Sequence, residues 1–279
     1  MSGRLGRLRP ERAVWWLLSR ARSPWALKLV ALPGVGAAVH AVSHRVWPKG
    51  RHAWVTVESG PARGLELFLD LRYDAKSWLG QIEPELQARL SELVQRGAVV
   101  WDVGAHTGFF TLLLARLVGE EGRVVAFEPD EESLAALVAA VDRNGFGNVH
   151  VRPVAVWSAP GVVGFERRAD AAEGAHGAVL LEGGSTEVPA TTLDEEAETG
   201  PPPALVKIDV EGAEEHVLLG ASRLLAERKP IVICEVHELR RGRAELLPRV
   251  RQLLVDSGYD IEELDPDRSP IHLLATPRR

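Results

Sequence analysis

Two groups of residues in this chain have the types and spacing for chemistry. The first is the run Asp102-Val103-Gly104-Ala105-His106-Thr107-Gly108. Its two glycines let a backbone turn sharply and let a ligand or a neighbouring strand approach where a Cβ would clash. About twenty residues on, the apolar run VVAF ends in Glu128, a carboxylate placed to accept both hydroxyls of a ribose lying over that turn. The second group stands at the ends of two further apolar runs: Lys207, Asp209 and Glu211 in ALVKIDVEG, and Glu235 and His237 in IVICEVH. Carboxylates and an imidazole in such places orient a substrate and move protons.

A Gly-x-x-x-Gly spacing alone also serves plain helix packing. Context decides for a cofactor turn. Val99 to Val103 is β-branched and aromatic, hence a buried strand, and the apolar residues after Gly108 have helical spacing. A short strand over 122–127 closes the unit at Glu128. The same patterning predicts a β-hairpin over 53–70, a short helix over 73–80, and a helix from Glu83-Pro84-Glu85 to about Arg96, since proline and acids are favoured in a first turn.

Beyond the turn, helices are expected over 131–143, 213–228 and 244–257, and strands over 148–156, 161–167, 204–210, 230–236, 259–264 and 271–275. Residues 169–184 read as a small-residue loop, and Thr191 to Pro203 as a solvated connection. Strands alternating with helices imply an α/β fold: a doubly wound, mostly parallel, Rossmann-like sheet.

The chain of 279 residues suits one large domain with an appendage, and its 46% hydrophobic and 26% charged residues exclude a disordered or membrane-embedded class. Its single cysteine, Cys234, excludes an internal disulfide framework or a cysteine-rich zinc site, and fits a reducing cytoplasm. Charge is uneven. Residues 1–52 carry ten Lys or Arg against Glu11 alone, together with Trp15, Trp16, Trp25 and Trp47, whereas the rest is strongly acidic. The expected division is a basic helical appendage over 1–52, a hairpin and helix lead-in over 53–96, and the main domain over 97–279. The apolar stretch 29–42 is broken by Pro33-Gly34 and is too short to span a bilayer; the appendage reads first as a pair of helices packed on the main domain with solvated arginines, and alternatively as a basic, Trp-bearing surface for a membrane interface or an acidic partner.

Together these segments resemble the FkbM family of class I S-adenosylmethionine-dependent methyltransferases, over about residues 83–275. The resemblance rests on WDVGAHTGFFTLLLAR, VVAFEPD followed by NGFGNVHV, TTLDE, VKIDVEGAEEHVLLGA and KPIVICEVH, in that order. It implies a seven-stranded sheet and S-adenosyl-L-methionine as cofactor. It places Asp102, Gly104, Ala105, His106 and Gly108 on the cofactor turn, Glu128 and Pro129 at its ribose, and Glu83 near its amino-acid end. His106 and Thr107 stand where the family more often has Asn and Ile.

The resemblance further implies methyl transfer to a hydroxyl of a small molecule, a sugar or secondary metabolite. It sets the 99–103 strand beside 204–210, and 204–210 beside 230–236, so that Asp102, Lys207, Asp209, Glu211, Glu235 and His237 converge on one rim. Lys207, Asp209, Glu211 and His237 are the expected catalytic residues, with Asp209 nearest the methyl group and His237 as proton acceptor. Asp209, Glu211 and His237 are acceptable ligands for a divalent metal, yet no spacing marks a metal site and none is assigned. The acidic balance of the catalytic region disfavours nucleic acid as its ligand. A nicotinamide oxidoreductase would share the fold and Glu128 but needs Gly-x-Gly-x-x-Gly, and position 106 is His106. A non-catalytic cofactor-binding module that kept the fold would be expected to have lost Glu128 or the KIDVEG acids, and both are present.

Overall fold

The computed structural model describes residues 52–70, 74–167, 178–181, 186–237, 245–264 and 270–278. The chain divides into two compact units. One comprises residues 1–53 and 70–75, of which only residues 52, 53, 70, 74 and 75 are described; the expected basic appendage therefore lies outside the described residues. The other, residues 54–69 and 76–279, carries every element discussed below except the outer ends of the hairpin and of the first helix.

Seven strands form the central sheet: β3 (Val99–Val103), β4 (Arg123–Phe127), β5 (Val149–Arg152), β10 (Leu205–Ile208), β11 (Ile231–Val236), β12 (Tyr259–Glu263) and β13 (Ile271–Pro277). Their order is β12-β13-β11-β10-β3-β4-β5, with β11, β10, β3, β4 and β5 parallel and β13 antiparallel to both β11 and β12. The expected adjacency of the 99–103, 204–210 and 230–236 strands is what the sheet shows. Register partners in adjacent strands point to the same face. Asp102 pairs with Lys207, Lys207 with Ile233, and Glu235 with His272, so Asp102, Lys207, Glu235 and His272 share one face. Trp101, Val206, Cys234 and Leu273 share the other.

Helices cover both faces. On the Asp102 face, α3 (Phe109–Val118) packs on β3 and β4. Trp101, Val103, Phe127, Val206 and Cys234 instead cluster with Val217, Leu224, Val250 and Leu254, which come from α6 (Glu214–Leu219), α7 (Ser222–Glu227) and α8 (Leu246–Asp256). Before the sheet come a hairpin of β1 (His52–Thr56) and β2 (Glu66–Asp70), then α1 (Ala75–Leu79) and α2 (Pro84–Leu93); α4 (Glu131–Asn144) follows β4, its N-terminus capped by Asp130 accepting from the Ser133 N–H.

Four expectations are corrected. The strand expected over 148–156 breaks at Pro153, which lacks an N–H and ends the ladder. β5 stays in the central sheet while β6 (Ala155–Val156) joins a second sheet of order β6-β9-β7-β8, with β7 (Gly161–Arg167), β8 (Ala178–Leu181) and β9 (Thr186–Thr191). β8 lies within the stretch expected to be a loop; the remainder of 168–185 lies outside the described residues. The connection after Thr191 contains α5 (Leu193–Thr199), which Thr192 caps by accepting from the Glu195 N–H at 3.1 Å, a Thr-x-x-Glu start hidden by the acidic composition. The single helix expected over 213–228 is two, separated at Gly220-Ala221; a Cβ on Gly220 would stand 2.1 Å from the Trp157 carbonyl oxygen.

Ala155, Phe165, Val188 and Ala190 of the second sheet pack around Ala213, with Val210 at the margin. This sheet therefore buttresses the loop after β10, where the KIDVEG acids lie. Among the described residues no helix is long and apolar enough to cross a membrane.

Candidate active site

The turn after β3 is built by backbone. Gly104 has φ +82, and a Cβ there would lie 1.8 Å from the Asp209 carbonyl oxygen, so only glycine fits. The Gly104 and Ala105 N–H groups both donate to the Phe127 carbonyl at 3.0 Å. His106 is held at φ 49, a region that side chains rarely adopt, which aims its N–H at Oε2 of Glu128 at 2.7 Å. The Asp130 N–H donates to the other oxygen, Oε1, at 2.9 Å, across the half-buried Pro129. Glu128 is thus buried and clamps the turn itself. Burial pushes its carboxyl up to about 7, against the two N–H donors.

The rim is built by side chains. Asp102, fully buried, accepts from the Thr111 hydroxyl at 2.6 Å and pairs with Lys207 at 3.2 Å; Lys207 also reaches Asp209 at 3.4 Å and lies over the Phe110 ring at 5.1 Å. On the next strand, His237 contacts Glu214 through Nδ1 at 2.9 Å, while its Nε2 faces Glu235 at 3.4 Å, Glu211 at 3.7 Å and Asp209 at 3.8 Å. Glu214 also accepts the Gly212 N–H at 2.9 Å, and so ties the imidazole to the loop after β10. His272 lies between Glu83 at 3.3 Å and Glu235 at 3.4 Å. Glu83 and Glu211, like His106, hold positive φ angles of 41 and 57, so three of the four non-glycine residues with positive φ among the described residues belong to this site.

These groups set one another's charge. Burial alone would discharge Lys207, but Asp102, Asp209, Glu235 and Glu83 hold its ammonium well above the usual range. Burial and Glu235 push Asp209 up to about 7, against Lys207 and His237. His237 and His272, despite burial, are held up at about 10 and about 9 by their carboxylate neighbours, and the two imidazoles in turn keep Glu235 well below the carboxylate range.

The rim residues named from the sequence, Asp102, Lys207, Asp209, Glu211, Glu235 and His237, therefore do meet, and Glu83 joins them through His272. Sequence reasoning missed His272 itself: its only signal is its register opposite Glu235 in an antiparallel pair. It also missed Thr111 as the partner of Asp102, and Glu214 as the partner of His237. Two trios bring one ligand atom each to within 4.8 Å of one another, as a metal ion requires: Asp209, Glu211 and His237, and Glu83, Glu235 and His272.

The model of the methyltransferase FkbM domain matches residues 102–261, from the acid of the turn to β12. The chain belongs to the FkbM methyltransferase family. A curated relative, the hexuronic acid methyltransferase AglP of Haloferax volcanii, is 30% identical over 197 residues, covering 66% of this chain and 79% of that protein. Solved structures similar to this FkbM protein include the methyltransferase FkbM from Methylobacillus flagellatus (TM-score 0.46, 16% identity, 86% of this chain and 58% of that one). Another is precorrin-6y C5,15-methyltransferase from Geobacter metallireducens (TM-score 0.46, 16% identity, 71% and 90%). The protein is an S-adenosylmethionine-dependent methyltransferase, and the oxidoreductase and non-catalytic readings fall away. The turn fits that cofactor family: Gly104 leaves no room for a side chain, and Glu128, with one N–H on each oxygen, keeps lone pairs for further donors.

Proposed function

We propose that this FkbM methyltransferase methylates a hydroxyl group of a sugar. The observation that carries the acceptor class is the similarity to a hexuronic acid methyltransferase. The rim supports it, because carboxylates are hydrogen-bond acceptors and a polyhydroxylated acceptor is a set of donors. The same acidity disfavours a phosphate backbone.

In this reading S-adenosyl-L-methionine rests on Asp102, Gly104, Ala105, His106 and Gly108, with Glu128 and Pro129 at its ribose and Glu83 bordering its methionine end. The cofactor supplies an electrophilic methyl group on a sulfonium. The chain supplies alignment, exclusion of water and a proton acceptor. Asp209 fits the last role better than His237. The Asp209 side chain is a quarter exposed, at the open end of β10, and Lys207 orients one of its oxygens. The His237 ring is almost wholly buried, with Nδ1 on Glu214 and Nε2 facing three carboxylates, an arrangement that makes it a donor to them. His237 then positions Asp209 and Glu211, and Lys207 keeps Asp209 in register with Asp102.

Transfer of label from methyl-labelled cofactor to a panel of hexoses, hexuronic acids and hydroxylated secondary metabolites tests the reading. Label should appear on a sugar oxygen. Transfer to the metabolites alone, or to nitrogen, would refute it.

A further inference from the structure

Glu83, Glu235 and His272 come from three separate parts of the chain: the residue ahead of α2, the end of β11, and the strand antiparallel to it. His272 is only 3% exposed, and its Nε2 points between Oε2 of Glu83 at 3.3 Å and Oε2 of Glu235 at 3.4 Å. Both contacts are ion pairs that lack the directed geometry of a hydrogen bond. Nε2 of His272 and Oε2 of Glu83 are both buried without a hydrogen-bond partner. Folded proteins rarely leave such atoms unsatisfied unless something else binds them.

The spacing fits a metal ion. An N–H···O hydrogen bond settles near about 2.9–3.0 Å. Donors around a tetrahedral ion with bonds of about 2.0–2.2 Å stand about 3.3–3.6 Å apart. The two imidazole–carboxylate separations fall in the second range, and all three donor atoms lie within 4.8 Å of one another. One imidazole with two carboxylates suits a first-row transition ion, whereas Mg²⁺ prefers oxygen donors and several waters.

We propose that Oε2 of Glu83, Oε2 of Glu235 and Nε2 of His272 hold one divalent transition-metal ion of the Zn²⁺ type. Three protein donors leave a fourth position for water or a ligand. The ion fastens the segment ahead of α2 to the centre of the sheet. It also shares a carboxylate with the rim, since Oε1 of Glu235 faces His237 at 3.4 Å. The trio Asp209, Glu211 and His237 is the weaker candidate, because its Nε2–oxygen separations of 3.7 and 3.8 Å exceed that range and Asp209 already has Lys207.

The test uses the full chain, stripped with a chelator and titrated with Zn²⁺ against a chromophoric chelator, with ion content measured by elemental analysis. The wild-type chain should hold a tight ion that the His272→Gln variant binds at least about a hundredfold more weakly, beyond the 10- to 100-fold typical of losing an outer partner. Glu83→Ala should weaken it by about the same hundredfold or more, and decides the matter should His272→Gln fail to fold by circular dichroism. Asp209→Asn should leave it in place. The proposal is overturned if the wild type shows no saturable binding, if the folded His272→Gln or Glu83→Ala variant loses less than about a hundredfold in affinity, or if the ion is lost from Asp209→Asn.

Discussion

The turn after β3 and the rim at the ends of β10 and β11 face the same region but are held in opposite ways. The turn is local: the Gly104 and Ala105 N–H groups donate to the Phe127 carbonyl, and the Glu128 side chain closes the turn by accepting from the His106 and Asp130 N–H groups. The rim draws on six carboxyl groups from scattered segments, Glu83, Asp102, Asp209, Glu211, Glu214 and Glu235, which Lys207, His237 and His272 offset only in part. A backbone site tolerates change outside its few contact atoms. A network of buried charges does not, because each partner removed leaves another uncompensated.

The contrast is broken most severely at Asp209. If it accepts the proton, Asp209→Asn lowers turnover by about 10²- to 10⁴-fold in a labelled-methyl assay; full activity would move the chemistry elsewhere. Lys207→Met tests the network itself. With the ammonium gone, Asp102 and its neighbours face each other unpaired, and unfolding in urea should show a loss of about 3–5 kcal/mol. Unchanged stability would mean that the carboxylates share protons instead.

Effects on the turn should be smaller and confined to the cofactor. Glu128→Ala removes a charge-assisted contact and should weaken cofactor binding by about 1.5–3 kcal/mol in titration calorimetry, with turnover at saturation little changed. The smallest effect sharpens the same point through pH. Without cofactor the Glu128 carboxyl titrates at about 7, above its ordinary value because it is buried, so its contribution to folding stability is present in acid and declines as pH rises through about 7. Ribose hydroxyls donating to the charged form would lower that value. Cofactor binding should therefore release a proton near neutral pH and tighten, by no more than about tenfold per pH unit, as pH rises to about 7. Calorimetry in buffers of different ionisation enthalpy measures the proton; Glu128→Ala should abolish it.

The same contrast governs what the sequence made legible. Val99 to Gly108 and Glu128 could be placed from periodicity and glycine spacing because their contacts are local and backbone-borne. The order of β3, β10 and β11 followed from the family resemblance, and it brought Lys207 and Asp102 side by side. His272 was invisible, since its meaning depends on an antiparallel register 37 residues downstream of Glu235. The second sheet was hidden for a related reason: Pro153 splits one apolar run between two sheets, and Thr192 starts a helix inside an acidic, proline-rich stretch. The role of His237 could not be read from its type, because three of the four carboxylates that surround it come from one distant stretch, residues 209–214 after β10, and only Glu235 from its own strand.

Division of labour between turn and rim is tested most directly by titrating S-adenosyl-L-methionine into the folded Asp209→Asn variant, alongside the wild type. The variant should bind within about threefold of wild-type affinity while its turnover has collapsed, since an interaction made only in the transition state leaves ground-state binding intact. A loss of affinity as large as the loss of turnover would show that Asp209 belongs to the cofactor site, and that turn and rim are not separate.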